Sequence, residues 1–167
     1  DRSPSRGLGD VYKRQVGGDG IVADKVVLPD GTEISMGSQT NFRYDPQYGK
    51  EKRVVYLEGE AFFNVAKQKD KPFIVVVNGQ EIEALGTKFN VDAYPSDSVV
   101  TTTLLEGSIR LVSEKVNTLT VLTPNQQYIY HKNKGSYKVA QVDAALYTSW
   151  ISGYYYFHEE NLEGILA

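Results

Sequence analysis

Val54-Val55-Tyr56-Leu57-Glu58-Gly59-Glu60-Ala61-Phe62-Phe63-Asn64-Val65-Ala66 is the stretch that decides the fold. It reads as two short strands hinged at Gly59, with Val55, Leu57, Phe63 and Val65 supplying apolar faces at strand spacing. Glycine suits a hinge because, lacking Cβ, it bends or approaches a neighbour without a clash. A related stretch returns at Thr103-Leu104-Leu105-Glu106-Gly107-Ser108-Ile109-Arg110-Leu111-Val112. Both copies carry Leu-Glu-Gly between residues that favour strands, which suggests an internally repeated corner in a β architecture.

Working outward, the 167 residues suffice for one domain with a real core, or one domain plus a fragment. Hydrophobic residues make up 41% and charged residues 23%, as in an ordinary globular chain. A net charge of −3 gives no bulk electrostatic case for binding nucleic acid or an anionic membrane. Without cysteine, disulfides, thiol catalysis and zinc–thiolate sites are excluded. No apolar run approaches the ~18 residues that a spanning helix needs, and no signal peptide is visible.

Turn signals recur along the chain at roughly 8–12-residue spacing, as in an all-β sandwich, barrel or short solenoid. Residues 1–15 have no periodicity and carry the breakers Pro4 and Gly7. They look like a non-native leader, so residues 1–20 are set aside as leader or disordered. Residues 21–142 then form the β-domain. Strands are expected at residues 26–28, 32–36, 41–44, 73–77, 81–85, 88–94, 99–105, 108–112, 118–122, 127–130 and 137–142, besides the two of the opening stretch. Pro29-Asp30-Gly31 is a tight turn, and Asn78-Gly79 is a strong hairpin signal. The texture changes at residues 143–167. Asp143 suits the cap of a helix over residues 144–151, and Gly153 ends it. A strand Tyr154-Tyr155-Tyr156-Phe157 and a helix start at Asn161 follow. The expected class is all-β, an antiparallel-rich sandwich or short β-solenoid-like stack. The start of a truncated α/β C-terminal domain follows it.

Catalytic chemistry finds little support. His131 and His158 lie in no metal-binding pattern. Glu58/Glu60 and Glu81/Glu83 are strand pairs that read as solvated faces rather than as acids across a cleft. Glu58 and Glu106 each precede a corner glycine, where a carboxylate can accept backbone N–H bonds or pair with a base. No nucleophile elbow, phosphate-binding loop or dinucleotide fingerprint is present. The residues alone describe a non-enzymatic β-domain with no implied cofactor.

The order of motifs resembles the FecR family of envelope signal transducers and anti-sigma regulators. The resemblance runs from about Ala23 to the end. It is carried by Val27-Leu28-Pro29-Asp30-Gly31-Thr32, by Val55 to Val65, and by Pro72-Phe73 with its strand. Leu85-Gly86-Thr87-Lys88-Phe89-Asn90-Val91 and Leu104-Leu105-Glu106-Gly107-Ser108-Ile109 complete it. Trp150 to Phe157 with Leu162 resembles the start of the C-terminal domain common in Bacteroidota members.

The resemblance implies a periplasmic β-domain in a protein anchored in the inner membrane by one helix. Its cytoplasmic segment would bind an extracytoplasmic-function sigma factor. Its C-terminal domain would receive a signal from a TonB-dependent outer-membrane receptor that handles iron-siderophore or glycan. The cytoplasmic segment and the membrane helix are expected to be absent from this chain, and the C-terminal domain nearly so. The motif residues Pro29, Asp30, Gly31, Leu57, Glu58, Gly59, Phe63, Val65, Gly86, Thr87, Phe89, Asn90, Val91, Glu106 and Gly107 are expected to be structural. Gly59, Gly86 and Gly107 would fix corners. Leu57, Phe63, Val65, Phe73, Phe89, Val91, Leu105 and Ile109 would form the core. Trp150, Tyr154 and Tyr156 are expected at a partner surface or domain junction. The competing reading is a carbohydrate-binding or adhesive envelope β-domain, for which an aromatic platform open to solvent would be the signature.

Overall fold

The architecture comes from a computed structural model that describes residues 12–16, 24–113 and 118–151. The described strands are β1 (Tyr12–Val16), β2 (Asp24–Val27), β3 (Glu33–Met36), β4 (Thr40–Tyr44), β5 (Arg53–Asn64), β6 (Phe73–Val77) and β7 (Gln80–Ala84). They continue with β8 (Lys88–Ala93), β9 (Val99–Glu106), β10 (Ile109–Ser113), β11 (Thr118–Leu122), β12 (Gln126–His131) and β13 (Ser136–Gln141). Among the described residues one helix, α1, covers residues 144–151. The chain is therefore all-β, as its turn spacing indicates.

The opening stretch is one unbroken twelve-residue strand rather than two. Its hinge is nonetheless real, because β5 changes partners at Gly59. Residues up to Glu58 pair with β4 and, in parallel, with β6. Residues from Gly59 onward pair with β3 and β8. Two sheets result. Sheet I runs β1-β4-β5-β6-β7-β10-β11 and sheet II runs β2-β3-β5-β8-β9-β12-β13, with β5 common to both. The β5–β6 pair is the one parallel pair among the described strands. A solenoid stacks parallel coils, so the antiparallel two-sheet alternative is the one that forms.

Alternation along β5 places Val55, Leu57, Gly59, Ala61 and Phe63 inward. A single core fills the space between the sheets. Phe63 of sheet II stacks on Phe89 at 5.0 Å and meets Phe73 of sheet I edge-on at 5.8 Å. Contacts of this kind favour folding through apolar burial and ring geometry together. Gly59 has φ +119°, and a Cβ there would lie 2.8 Å from the Thr40 backbone. Only glycine lets β5 pass so close to β4 while it bends.

The second Leu-Glu-Gly also changes sheets, since β9 belongs to sheet II and β10 to sheet I. Here the strand breaks. Gly107 has φ +93°, and a Cβ would press on the Thr87 methyl at 2.7 Å. The β7-to-β8 crossing at Gly86 and the β9-to-β10 crossing at Gly107 therefore lie against each other. The Asn78-Gly79 hairpin forms as read, both residues having positive φ.

Three expectations need correction. Leu105 is not in the core. Lys88 pairs with Glu106 and Phe89 with Leu104, so Leu105 is the extra residue of a β-bulge, and Leu104 takes the buried place. The strand expected over residues 81–85 ends at Ala84, and Leu85 beyond it is 48% exposed. Inside the segment set aside as leader, the backbone of Tyr12–Val16 forms β1 in register with Thr40–Tyr44.

Candidate functional site

Two polar networks stand out against the apolar core. The first lies at one end, where the β2–β3 turn meets the start of β5. Arg53 shares the inward face of Val55 and Leu57, so alternation alone drives its guanidinium into the protein. It is fully buried and pairs with Asp30 Oδ2 at 2.8 Å. Its Nη1 also donates to the Ala66 carbonyl at 2.7 Å, and its Nε to the Lys71 carbonyl at 2.8 Å. Asp30 accepts further bonds from the Thr32 N–H, the Thr32 hydroxyl and the Tyr48 hydroxyl. Burial alone would raise the Asp30 pKa. The Arg53 pair and the Thr32 and Tyr48 donors outweigh it and hold the carboxyl below its ordinary value. Tyr48 moves the other way, raised by burial and by the Asp30 charge beside it. This network joins a turn, a strand and two loops.

The second network lies on the outer face of sheet II. Asn90 alternates with core-facing Phe89 and Val91, so its side chain leaves the sheet on the far side. That side ought to be wet, yet Asn90 is 3% exposed, and its neighbours Thr103 and Gln127 are also buried. Helix α1 accounts for this. At its start, Asp143 Oδ1 accepts the Ala145 N–H and Asn125 Oδ1 accepts the Ala144 N–H, satisfying two donors that a helix leaves free. Ala144 and Thr148, one turn apart, are buried. At the far end Trp150 Nε1 donates to Asn90 Oδ1 at 3.1 Å. The helix thus runs from the β11–β12 turn across to β8.

Under the helix, Asn90 Nδ2 donates to Glu60 Oε2 at 2.9 Å, and Gln127 Nε2 donates to Thr103 Oγ1 at 2.9 Å. Burial raises the Glu60 pKa despite the Asn90 bond, which lowers it, and the Asp92 charge adds to the rise. Asp92 is raised by burial and by Asp97. The outward face of α1 carries Leu146, 68% exposed, and Tyr147, also exposed.

The site residues named from sequence divide between these regions. Asp30 sits in the first network, with Pro29 and Gly31 in its turn. Asn90 sits in the second, and Trp150 is half-buried there. Leu57, Phe63, Val65, Phe89 and Val91 lie in the core. Gly59, Gly86, Thr87 and Gly107 form the sheet crossings. Glu58 is exposed opposite Asn41. Glu106 is exposed and 3.8 Å from Lys88. Tyr154, Tyr156 and His158 lie outside the described residues. Sequence reading missed Arg53, Tyr48 and Thr40, and did not connect Glu60 with Asn90. Period-2 alternation from Val55 could have found Arg53. No local signal joins Asn90 to Trp150, sixty positions away.

Among the described residues no group of three or more His, Asp or Glu could hold a metal ion, and no helix is long and apolar enough to cross a membrane. Tyr56, an outward aromatic on sheet I, carries the Arg43 guanidinium over its ring at 3.9 Å.

No functionally curated protein matches the sequence. Two crystal structures of a "putative anti-sigma factor" from Parabacteroides distasonis ATCC 8503 do match. One is 32% identical with a TM-score of 0.79 and covers 85% of this chain. The other is 31% identical, also with a TM-score of 0.79, and covers 86% of this chain. The chain spans 65% of the length of each of those chains. A family model described as "FecR protein" matches residues 22–110, from before β2 to within β10. That span includes both Leu-Glu-Gly crossings, and the chain belongs to the FecR protein family.

Proposed function

We propose that this chain is the periplasmic signal-relay domain of an anti-sigma regulator. The observation that carries the reading is the FecR match across both sheet crossings, together with the likeness to anti-sigma relatives over most of the chain. In this reading the two-sheet body is a rigid spacer and not an enzyme. A TonB-dependent outer-membrane receptor, through its signalling domain, engages the protein on the C-terminal side of α1. An extracytoplasmic-function sigma factor is held by a cytoplasmic segment, and one membrane helix joins the two compartments. Nucleic acid and cofactors have no part. The physical support is that the sheets share one core and one strand, so a load on sheet II reaches sheet I without crossing a flexible linker. The carbohydrate-binding alternative loses ground at Tyr56, because a guanidinium already covers one face of the ring that a sugar would stack on.

The test is capture from envelope extract by the full-length regulator, with the present chain as control. Retention of a receptor signalling domain by the full-length form alone supports the relay and places the contact beyond this chain. Retention by both moves the contact onto the β-domain. Retention of polysaccharide without receptor overturns the relay.

A further inference from the structure

Asn90 stands between a group that only accepts hydrogen bonds and a group that only donates them. A carboxylate such as Glu60 has no proton to give, and an indole N–H such as that of Trp150 cannot accept. The two ends therefore dictate which way the Asn90 amide faces: Nδ2 toward Glu60 and Oδ1 toward Trp150. The series continues past Glu60. Its backbone N–H donates to Thr40 Oγ1 at 3.1 Å, and Thr40 is the residue packed against Gly59. Hydrogen bonds through Asn90 thus link helix α1 to the Glu60 side chain, and the Glu60 backbone is in turn bonded to Thr40 where β5 changes sheets.

We propose that Asn90 is the positioning residue of a polar clamp that ties helix α1 to the β5 crossing, so that a displacement of the helix reaches the joint between the sheets. The proposal rests on the relay reading for its use, and its structural half is tested apart from it. Burial makes the clamp effective: Asn90 and Thr103 have almost no access to water, so a broken bond there is not replaced by a solvent bond. Aspartate at this position would set a carboxylate against Glu60, and leucine would leave the indole N–H and the Glu60 carboxylate facing an apolar side chain.

The chain has one tryptophan, so its emission reports this site alone. In the 167-residue chain, Asn90→Leu should raise acrylamide quenching of Trp150 about twofold and shift its emission to the red. Glu60→Gln keeps an oxygen acceptor for Asn90 and should leave both unchanged. If Asn90→Leu fails to fold, Trp150→Phe removes the donor together with the pyrrole part of the indole and keeps an aromatic ring. Amide exchange at residues 144–151 should then quicken about tenfold while β8 and β9 stay protected. Unchanged quenching in folded Asn90→Leu, or unchanged exchange in Trp150→Phe, overturns the clamp. In the full-length protein, Asn90→Leu should reduce signal-dependent output from a sigma-factor reporter at equal protein level. Normal output with a broken clamp removes its coupling role and leaves the relay standing. A reporter that ignores the unmodified protein sinks the relay instead.

Discussion

The Asp30–Arg53 network and the Glu60–Asn90–Trp150 network are both built from polar groups withdrawn from water, but they hold different things. The first fastens a turn, a strand and two loops that the sheets already bring together. Its charges neutralise each other, and backbone carbonyls take two of the remaining donors. The second fastens the β-body to an element outside it. A buried ion pair inside one folding unit bears on whether that unit forms. A hydrogen-bonded link between two units bears on whether they move together. The contrast assigns stability to the first and coupling to the second.

The largest expected effect comes from breaking the first network on one side. Arg53→Met leaves the Asp30 carboxylate without its cation and two carbonyls without donors. It should cost about 3–5 kcal/mol in urea unfolding. A cost near zero would mean that the network holds nothing. Next comes the crossing to which the second network leads. Gly59→Ala forces a side chain into a positive-φ position against the Thr40 backbone and should cost about 2–3 kcal/mol. Gly107→Ala should cost somewhat less, because the nearest backbone atoms stand at 3.2 Å there rather than 2.8 Å.

Acid separates the networks by sign. Asp30 titrates below its ordinary value in the folded chain. Its contribution is complete above the unfolded value of about 4 and is lost as pH falls through the folded value. Glu60 and Asp92 titrate above theirs, so protonation as pH falls relieves the cost of burying their charge. Thermal melts taken downward from neutral pH should therefore show an acid loss in the unmodified chain that Asp30→Asn flattens. A loss that survives Asp30→Asn would place its origin elsewhere. The smallest effect belongs to neither network. Glu106→Gln removes one partner of an exposed pair and should change stability by less than about 0.5 kcal/mol.

Much of the β-body was legible because its signals are local. Asn78-Gly79 needs only its own dihedrals, and the two Leu-Glu-Gly stretches mark the places where glycine must absorb a bend. The repeat misled in one detail. By analogy with Leu57, Leu105 should be buried, but the bulge opposite the Lys88–Phe89 step hands that place to Leu104. A bulge is set by the partner strand, so neither copy of the repeat contains it. Arg53 was hidden by its type, since a charged residue is read as surface even where alternation points it inward. The outer network was illegible because it needs the order of strands in sheet II and the path of α1 over them. Asn90 looked like one polar residue on a half-wet strand until Trp150 covered it.

A double-mutant cycle on Asn90→Ala and Trp150→Phe, read by urea unfolding, tests most directly whether the outer network couples the helix to the sheet. The clamp predicts that the two losses overlap, with a coupling energy of about 1 kcal/mol. Losses that add to within about 0.3 kcal/mol would show that helix and sheet stand independently, and would contradict it.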